Sequence, residues 1–218
     1  MVAIGRRSGP LEEAAAGHGR ITPLAADITA DGEPERIVRA VRETHDRLDV
    51  LVSNAAIVRA GALGDLTQEA ASAQLATNLV APLLLTQAAL PLLAASGGVI
   101  VNVSTSVGQR AWPGNSVYAA TKAALELLTR SWAVEPAPRG VRVVAVAPGA
   151  IDTPIGEHQG LTAGTKCRRA GVAAGGHAAG ADRPPGGGGL GGRPTCRSCR
   201  VVRHRGGAPG RWGEQSWR

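Results

Sequence analysis

Short apolar runs with β-type composition alternate along this chain with longer stretches in which apolar residues return every three or four positions. VAIG (2–5), ITPLAAD (21–27), LDVLVSNAA (48–56), GGVIVNVSTS (97–106) and VRVVAVAPG (141–149) read as strands. Between them, PLEEAAAG behind Ser8 and EPERIVRAVRETHDR read as helices, the second with Ile37, Val38 and Val41 on one face. Another helix begins at Thr67 and runs through LATNLVAPLLLTQAALPLL, interrupted by Pro82 and Pro91. The last is NSVYAATKAALELLTRSWAVE (115–135). The unbroken run in LDVLV predicts a strand buried on both faces. Strands alternating with helices imply right-handed crossovers and a parallel sheet covered on both sides. The expected fold class is therefore a doubly wound, Rossmann-like α/β domain with its ligands at the carboxyl ends of the strands.

Composition divides the chain in two. Residues 1–159 carry a net charge of −2 and residues 160–218 a net charge of +9, so the overall +7 belongs to the tail. That tail also holds 16 of the 30 glycines, with no helical or strand period beyond Val201 and Val202. Such a sequence buries too little apolar surface to offset the entropy of ordering it. The expected organisation is an incomplete Rossmann-like domain over 1–158 and a disordered Gly/Arg/Pro-rich tail over 159–218. The tail's Cys196-Arg-Ser-Cys199, with Cys167 and His204, has half of a zinc-site spacing and no second pair, so no metal is expected. An Arg/Gly-rich tail suits a non-catalytic protein that binds nucleic acid non-specifically, which is the alternative function. Its only aromatic residues, Trp212 and Trp217, argue against that partner. All three cysteines lie in the tail, so no disulfide framework holds the rest. No apolar run reads as long and uninterrupted enough to cross a bilayer, and the start has no signal-peptide pattern. A cytoplasmic protein without a membrane partner is expected.

One pair of scarce residues changes the picture. Tyr118 is the only tyrosine, Lys122 is one of two lysines, and they stand four apart on a predicted helix. They therefore share a face one turn apart. A lysine ammonium close to a phenol favours the phenolate and lowers its pKa, which makes Tyr118 a plausible proton-transfer group. The spacing alone is equally compatible with a surface tyrosine beside a solvated lysine.

Four motifs in register decide the matter. LDVLVSNAA, the strand end VNVSTS, YAATK and VAPGAIDTP resemble the short-chain dehydrogenase/reductase family in order and spacing, over residues 2 to about 155. The resemblance implies a nicotinamide-dependent oxidoreductase that interconverts a carbonyl and an alcohol in a small-molecule substrate, in a family whose complete members are usually homo-oligomers. It implies that Tyr118 exchanges a proton with the substrate oxygen and that Lys122 lowers its pKa and bonds the nicotinamide ribose. Asn78 matches the helix asparagine of the family's proton relay, though a locally bonded asparagine fits the sequence too. Thr105 stands at the thirteen-residue interval before Tyr118 where the family has a serine, and Ser106 is one residue out of register. For the cofactor, Asn54 and Ala55 match the turn against the adenosine, and Asp27 with Ile28 the position that reaches adenine, unless Asp27 merely caps a turn. Pro148, Gly149, Ile151 and Thr153 would hold the carboxamide end of the nicotinamide.

Two further departures shape the expectation. SNAA replaces the usual NNAG, which is tolerable only if Ala56 needs no positive φ. The family's glycine-rich pyrophosphate turn, between its first strand and helix, has no counterpart before Val2. GGGGLGG follows no strand and opens no helix. VAIGRR matches the second strand, and Arg6 and Arg7 stand where a carboxylate would select NAD. Arginines suit a 2′-phosphate, so NADP is expected with NAD as the alternative, unless both are simply solvated. The sequence thus reads as a family member truncated at its start, without its central strand, and out of frame near its end. Its oxidoreductase activity is expected to be impaired.

Overall fold

Every predicted strand after the first forms behind a helix. The computed structural model describes residues 1–106, 112–149 and, for the backbone, 199–203. In chain order the elements are β1 (Val2–Gly5), α1 (Ser8–Ala16), β2 (Thr22–Ala25), α2 (Glu33–His45) and β3 (Val50–Ser53). They continue with α3 (Gln68–Leu75), α4 (Ala81–Ser96), β4 (Val99–Val103), α5 (Ser116–Trp132), β5 (Arg142–Pro148) and β6 (Cys199–Arg203). α2 shows why these segments fold locally. Gly32 at φ 76° turns the chain in, Pro34 sits in the first turn with Glu33 and Glu35, and Arg42 and His45 close the last turn, matching the helix dipole at both ends. Its apolar stripe buries Ile37 and Val41.

The strands form two sheets. β1 pairs with β2 in parallel, and β3, β4 and β5 pair in parallel in that order, with β6 antiparallel on the far edge of β5. No strand stands between β1 and β3 among the described residues, so the two sheets share no ladder. They share a core instead: Ala26, Ile37, Leu51, Leu85, Ala89, Leu93, Ile100 and Val143 pack together, with Ile4, Leu24 and Ile28 against them. Val201 and Val202, the one strand-like feature of the tail, pair with Val146 and Ala145. The tail is therefore not without structure throughout, and the rest of it lies outside the described residues.

Two expectations need correction. β3 is not buried on both faces: Leu51 and Ser53 are covered, whereas Val50 and Val52 are 51% and 53% exposed. Packing of α2 and α4 covers only one face of this strand, so the unbroken apolar run does not mark two-sided burial here. Nor do Pro82 and Pro91 interrupt the long helix. α3 is capped by Thr67, whose side chain accepts from the Ala70 N–H at 3.1 Å. A five-residue π-turn (Ala76–Val80) joins it to α4 without a break. Pro82 falls in the first turn of α4, just beyond this widened turn, and Pro91 on its exposed side. The continuous Gln68–Ser96 segment is long and apolar enough, by length and composition, to cross a membrane. Its Ala81, Leu85, Ala89 and Leu93 are nevertheless buried in the shared core.

Candidate active site

The carboxyl ends of the parallel strands carry nearly every residue that the motifs single out. β4 ends in Val103, after which Ser104, Thr105 and Ser106 lead into residues 107–111, which lie outside the description. Ser104 still extends the ladder, donating its N–H to Val146 O at 2.8 Å. α5 crosses this strand end and presents Tyr118 and Lys122, 9% and 2% exposed. Thr105 is buried at 8%, while Ser106 is half-buried. The thirteen-residue interval thus places a covered hydroxyl on the strand end that α5 crosses.

The electrostatics differ from the simple expectation. Lys122 Nζ donates to Val103 O at 2.7 Å and lies 6.0 Å from the Tyr118 ring centroid. Burial pulls the lysine pKa down from 10.5 to about 8. Burial likewise pushes the Tyr118 phenol above its ordinary 10. The lysine therefore does not depress the phenol: its ammonium is anchored on a backbone carbonyl, and desolvation governs both groups. At neutral pH Tyr118 is a neutral phenol, which is a proton donor. Trp112 closes one side of it, with ring centroids 6.2 Å apart in an edge-to-face arrangement.

Asn78 lies in the π-turn and is fully buried. Its Oδ1 accepts from Ile57 N–H at 2.8 Å, while Nδ2 donates to Ile57 O at 2.9 Å and Thr121 Oγ1 at 3.3 Å. These partners are 21 and 43 residues away, so the bonding is not local. The amide ties the segment after β3 to the helix that carries Tyr118. Asn54 and Ala55, on that segment, are exposed, and Ala56 has no positive φ, so losing glycine there costs nothing.

At the other strand ends, Asp27 Oδ1 accepts from Thr29 N–H at 3.0 Å and Thr29 Oγ1 at 2.7 Å. These bonds, ahead of the nearby Arg6 charge, hold its carboxyl below the usual range. The turn-capping role is thus filled, and Ile28 follows half-buried. Arg6 and Arg7 are exposed and, with Gly5, Pro10 and Leu11, line a hollow beyond β1. Pro148 and Gly149 stand half-buried at the end of β5, and Ile151 and Thr153 lie outside the described residues.

A dinucleotide cofactor fits this layout at two places. The Lys122 ammonium has three N–H donors, and Val103 O takes one; the cationic hollow of Arg6 and Arg7 suits a phosphate near the adenosine end. Among the described residues there is no glycine-rich turn for a pyrophosphate. No group of three or more metal-ligating side chains occurs among them either.

Sequence reasoning missed Ser104 and Glu126. Ser104 is 4% exposed and donates to Glu126 Oε1 at 2.6 Å. Glu126 lies one further turn along the Tyr118–Lys122 face, and extending that period by four residues would have found it. Asn115, at the start of α5, was also missed; it is 1% exposed, and neither side-chain amide atom has a partner among the described residues.

Comparison with known proteins agrees with this geometry. The short chain dehydrogenase family model matches residues 1–163. The chain is 39% identical over 140 residues to the 3-oxoacyl-[acyl-carrier-protein] reductase FabG of Thermotoga maritima, covering 64% of this chain and 57% of that protein. It is 36% identical over 143 residues to the oxidoreductase UcpA of Escherichia coli, covering 65% and 54%. It thus spans a little over half the length of these curated relatives. Among solved structures, a short-chain dehydrogenase/reductase of unknown function from Caenorhabditis elegans, solved with cofactor, aligns at a TM-score of 0.70 and 32% identity. That alignment covers 77% of this chain and 66% of that one. An alcohol dehydrogenase from Thermococcus sibiricus, complexed with 5-hydroxy-NADP, aligns at 0.68 and 25%, covering 72% and 68%. Members of this family use nicotinamide cofactors. With the strand-end site, the π-turn asparagine and the Tyr–Lys face on one scaffold, the chain belongs to the short-chain dehydrogenase family.

Proposed function

We propose that this chain carries the proton-transfer site of an oxidoreductase that interconverts a small carbonyl compound and its alcohol with NADP(H). The observation that carries the reading is Tyr118 and Lys122, buried one turn apart on α5 across the end of β4. The cofactor supplies or accepts the hydride. Tyr118, held neutral by burial, donates its proton to the substrate oxygen, which favours the carbonyl-reducing direction near neutral pH. Thr105 offers a second hydroxyl to that oxygen, and Lys122, fixed on Val103 O, keeps N–H donors for the ribose. Trp112 beside Tyr118 makes one wall of the substrate site apolar. Asn78 positions the Tyr118 helix through Thr121.

Arg6 and Arg7 support NADP over NAD, since paired guanidinium groups suit a 2′-phosphate and leave the 2′-hydroxyl of NAD without a carboxylate partner. Protection of Lys122 from acylation by each nucleotide tests this. NADPH should protect at lower concentration than NADH. Replacing both arginines by Ala should weaken NADPH about tenfold or more and NADH little, on the scale of a lost charge-assisted contact. Equal protection by both nucleotides would rule out the NADP preference.

A further inference from the structure

Three consecutive residues at the end of β4 meet α5 in different ways. Val103 O receives the Lys122 ammonium at 2.7 Å, Ser104 Oγ lies 2.6 Å from Glu126 Oε1, and Thr105 is buried next in line. Ser104 Oγ is also 3.4 Å from Lys122 O. A hydroxyl has one proton, and the much shorter contact to a carboxylate takes it. Lys122 and Glu126 are one helical turn apart, so two charged side chains of one face grip two adjacent residues of the strand. Ser104 N–H on Val146 O holds the same point from β5.

We propose that Glu126, acting through Ser104, is a positioning residue of this site, clamping the end of β4 to α5 so that Val103 O and Thr105 keep register with Lys122 and Tyr118. The geometry stands on its own, and its meaning for catalysis rests on the proton-transfer reading above. Without the clamp, Ser104 loses its side-chain tie to α5, and the Lys122 bond to Val103 O and the Asn102 bond to Thr129 Oγ1 remain behind it. The enclosure that desolvates Lys122 then loosens.

The test uses the full 218-residue chain with isotope-labelled lysine, in which only Lys122 and Lys166 give signals. Lys122 should titrate near 8 in the parent chain. In Glu126→Ala and Ser104→Ala its midpoint should rise by about half a pH unit or more towards an ordinary lysine, because water reaches the ammonium. Glu126→Gln and Ser104→Thr keep an acceptor and a donor, and should hold the midpoint near 8. Tyr118, the only tyrosine, checks each fold, since its phenolate absorbance titrates above 10 only while it is buried. An unmoved midpoint in both folded Ala variants would overturn the clamp. So would a shift in Glu126→Gln or Ser104→Thr, whatever the Ala variants do. If the midpoints behave as stated while Tyr118→Phe leaves turnover intact, the clamp stands and the proton-transfer reading falls.

Discussion

Lys122 is the residue at which burial and chemistry conflict most directly. Its folded-state pKa of about 8 lies below the ordinary 10.5, so the unfolded chain binds more protons between those values. Stability contributed by this group therefore rises as pH climbs from about 8 towards 10.5. Tyr118 acts in the opposite sense. Its raised pKa means that the folded chain keeps a proton the unfolded chain loses, so stability falls above about 10. Melting temperature should accordingly rise between about pH 8 and pH 10 and then turn over. The lysine contributes on the order of 3 kcal/mol at most. Lys122→Met should flatten the rise, and an identical rise in that variant would show that the penalty lies elsewhere. Spacing and motif singled out Tyr118, Lys122 and Asn78 as candidates, and all three are buried. Their partners were not legible, because Val103 O and Ile57 are met only through the register of strands against helices. The direction of the Tyr118 shift was misjudged for the same reason: a four-residue spacing fixes a shared face, and not where the ammonium ends up.

At the scale of elements, hydrophobic period and turn chemistry identified β1 to β5 and the α-helices between them, but not the π-turn or the 3-10 turn at Ala137–Arg139. Errors arose where a local rule met a tertiary override. Pro91 sits in the interior of α4 on its exposed side, and the helix runs through it because Leu85, Ala89 and Leu93 are anchored in the core. That continuity still costs a backbone hydrogen bond and a ring clash. Pro91→Ala should therefore raise stability by about 1–3 kcal/mol in denaturant unfolding, since alanine is the best helix former and Pro91 is exposed among the described residues. A neutral or destabilising result would mean that α4 bends at Pro91 to fit the sheet. The π-turn before α4 has no sequence signature of its own. It became visible only with Asn78 turned inward from it.

At the scale of the whole molecule, two sheets are held over a single core. The described residues form one core under two sheets that share no hydrogen bonds, with Val50 and Val52 exposed on β3. The site gathers at the strand ends of both sheets, with Arg6, Arg7 and Asp27 on one and Tyr118, Lys122 and Thr105 on the other. A cofactor spanning both therefore depends on how the sheets are held together. Alternation of strands and helices made this architecture legible, and the order of motifs placed the separation between β1 and β3. The pairing of β6 was not legible, because two adjacent valines in an Arg/Gly-rich context give too short a period to read. The central claim is that Tyr118 is the proton donor of a carbonyl-reducing site. It is tested most directly by carbonyl-dependent loss of NADPH absorbance, across a panel of small ketones and aldehydes. The assay compares the 218-residue chain with and without Tyr118→Phe. The account predicts turnover that falls about 10²-fold or more in the Phe variant, the scale of a lost general acid. A Phe variant that keeps the parental rate would contradict it.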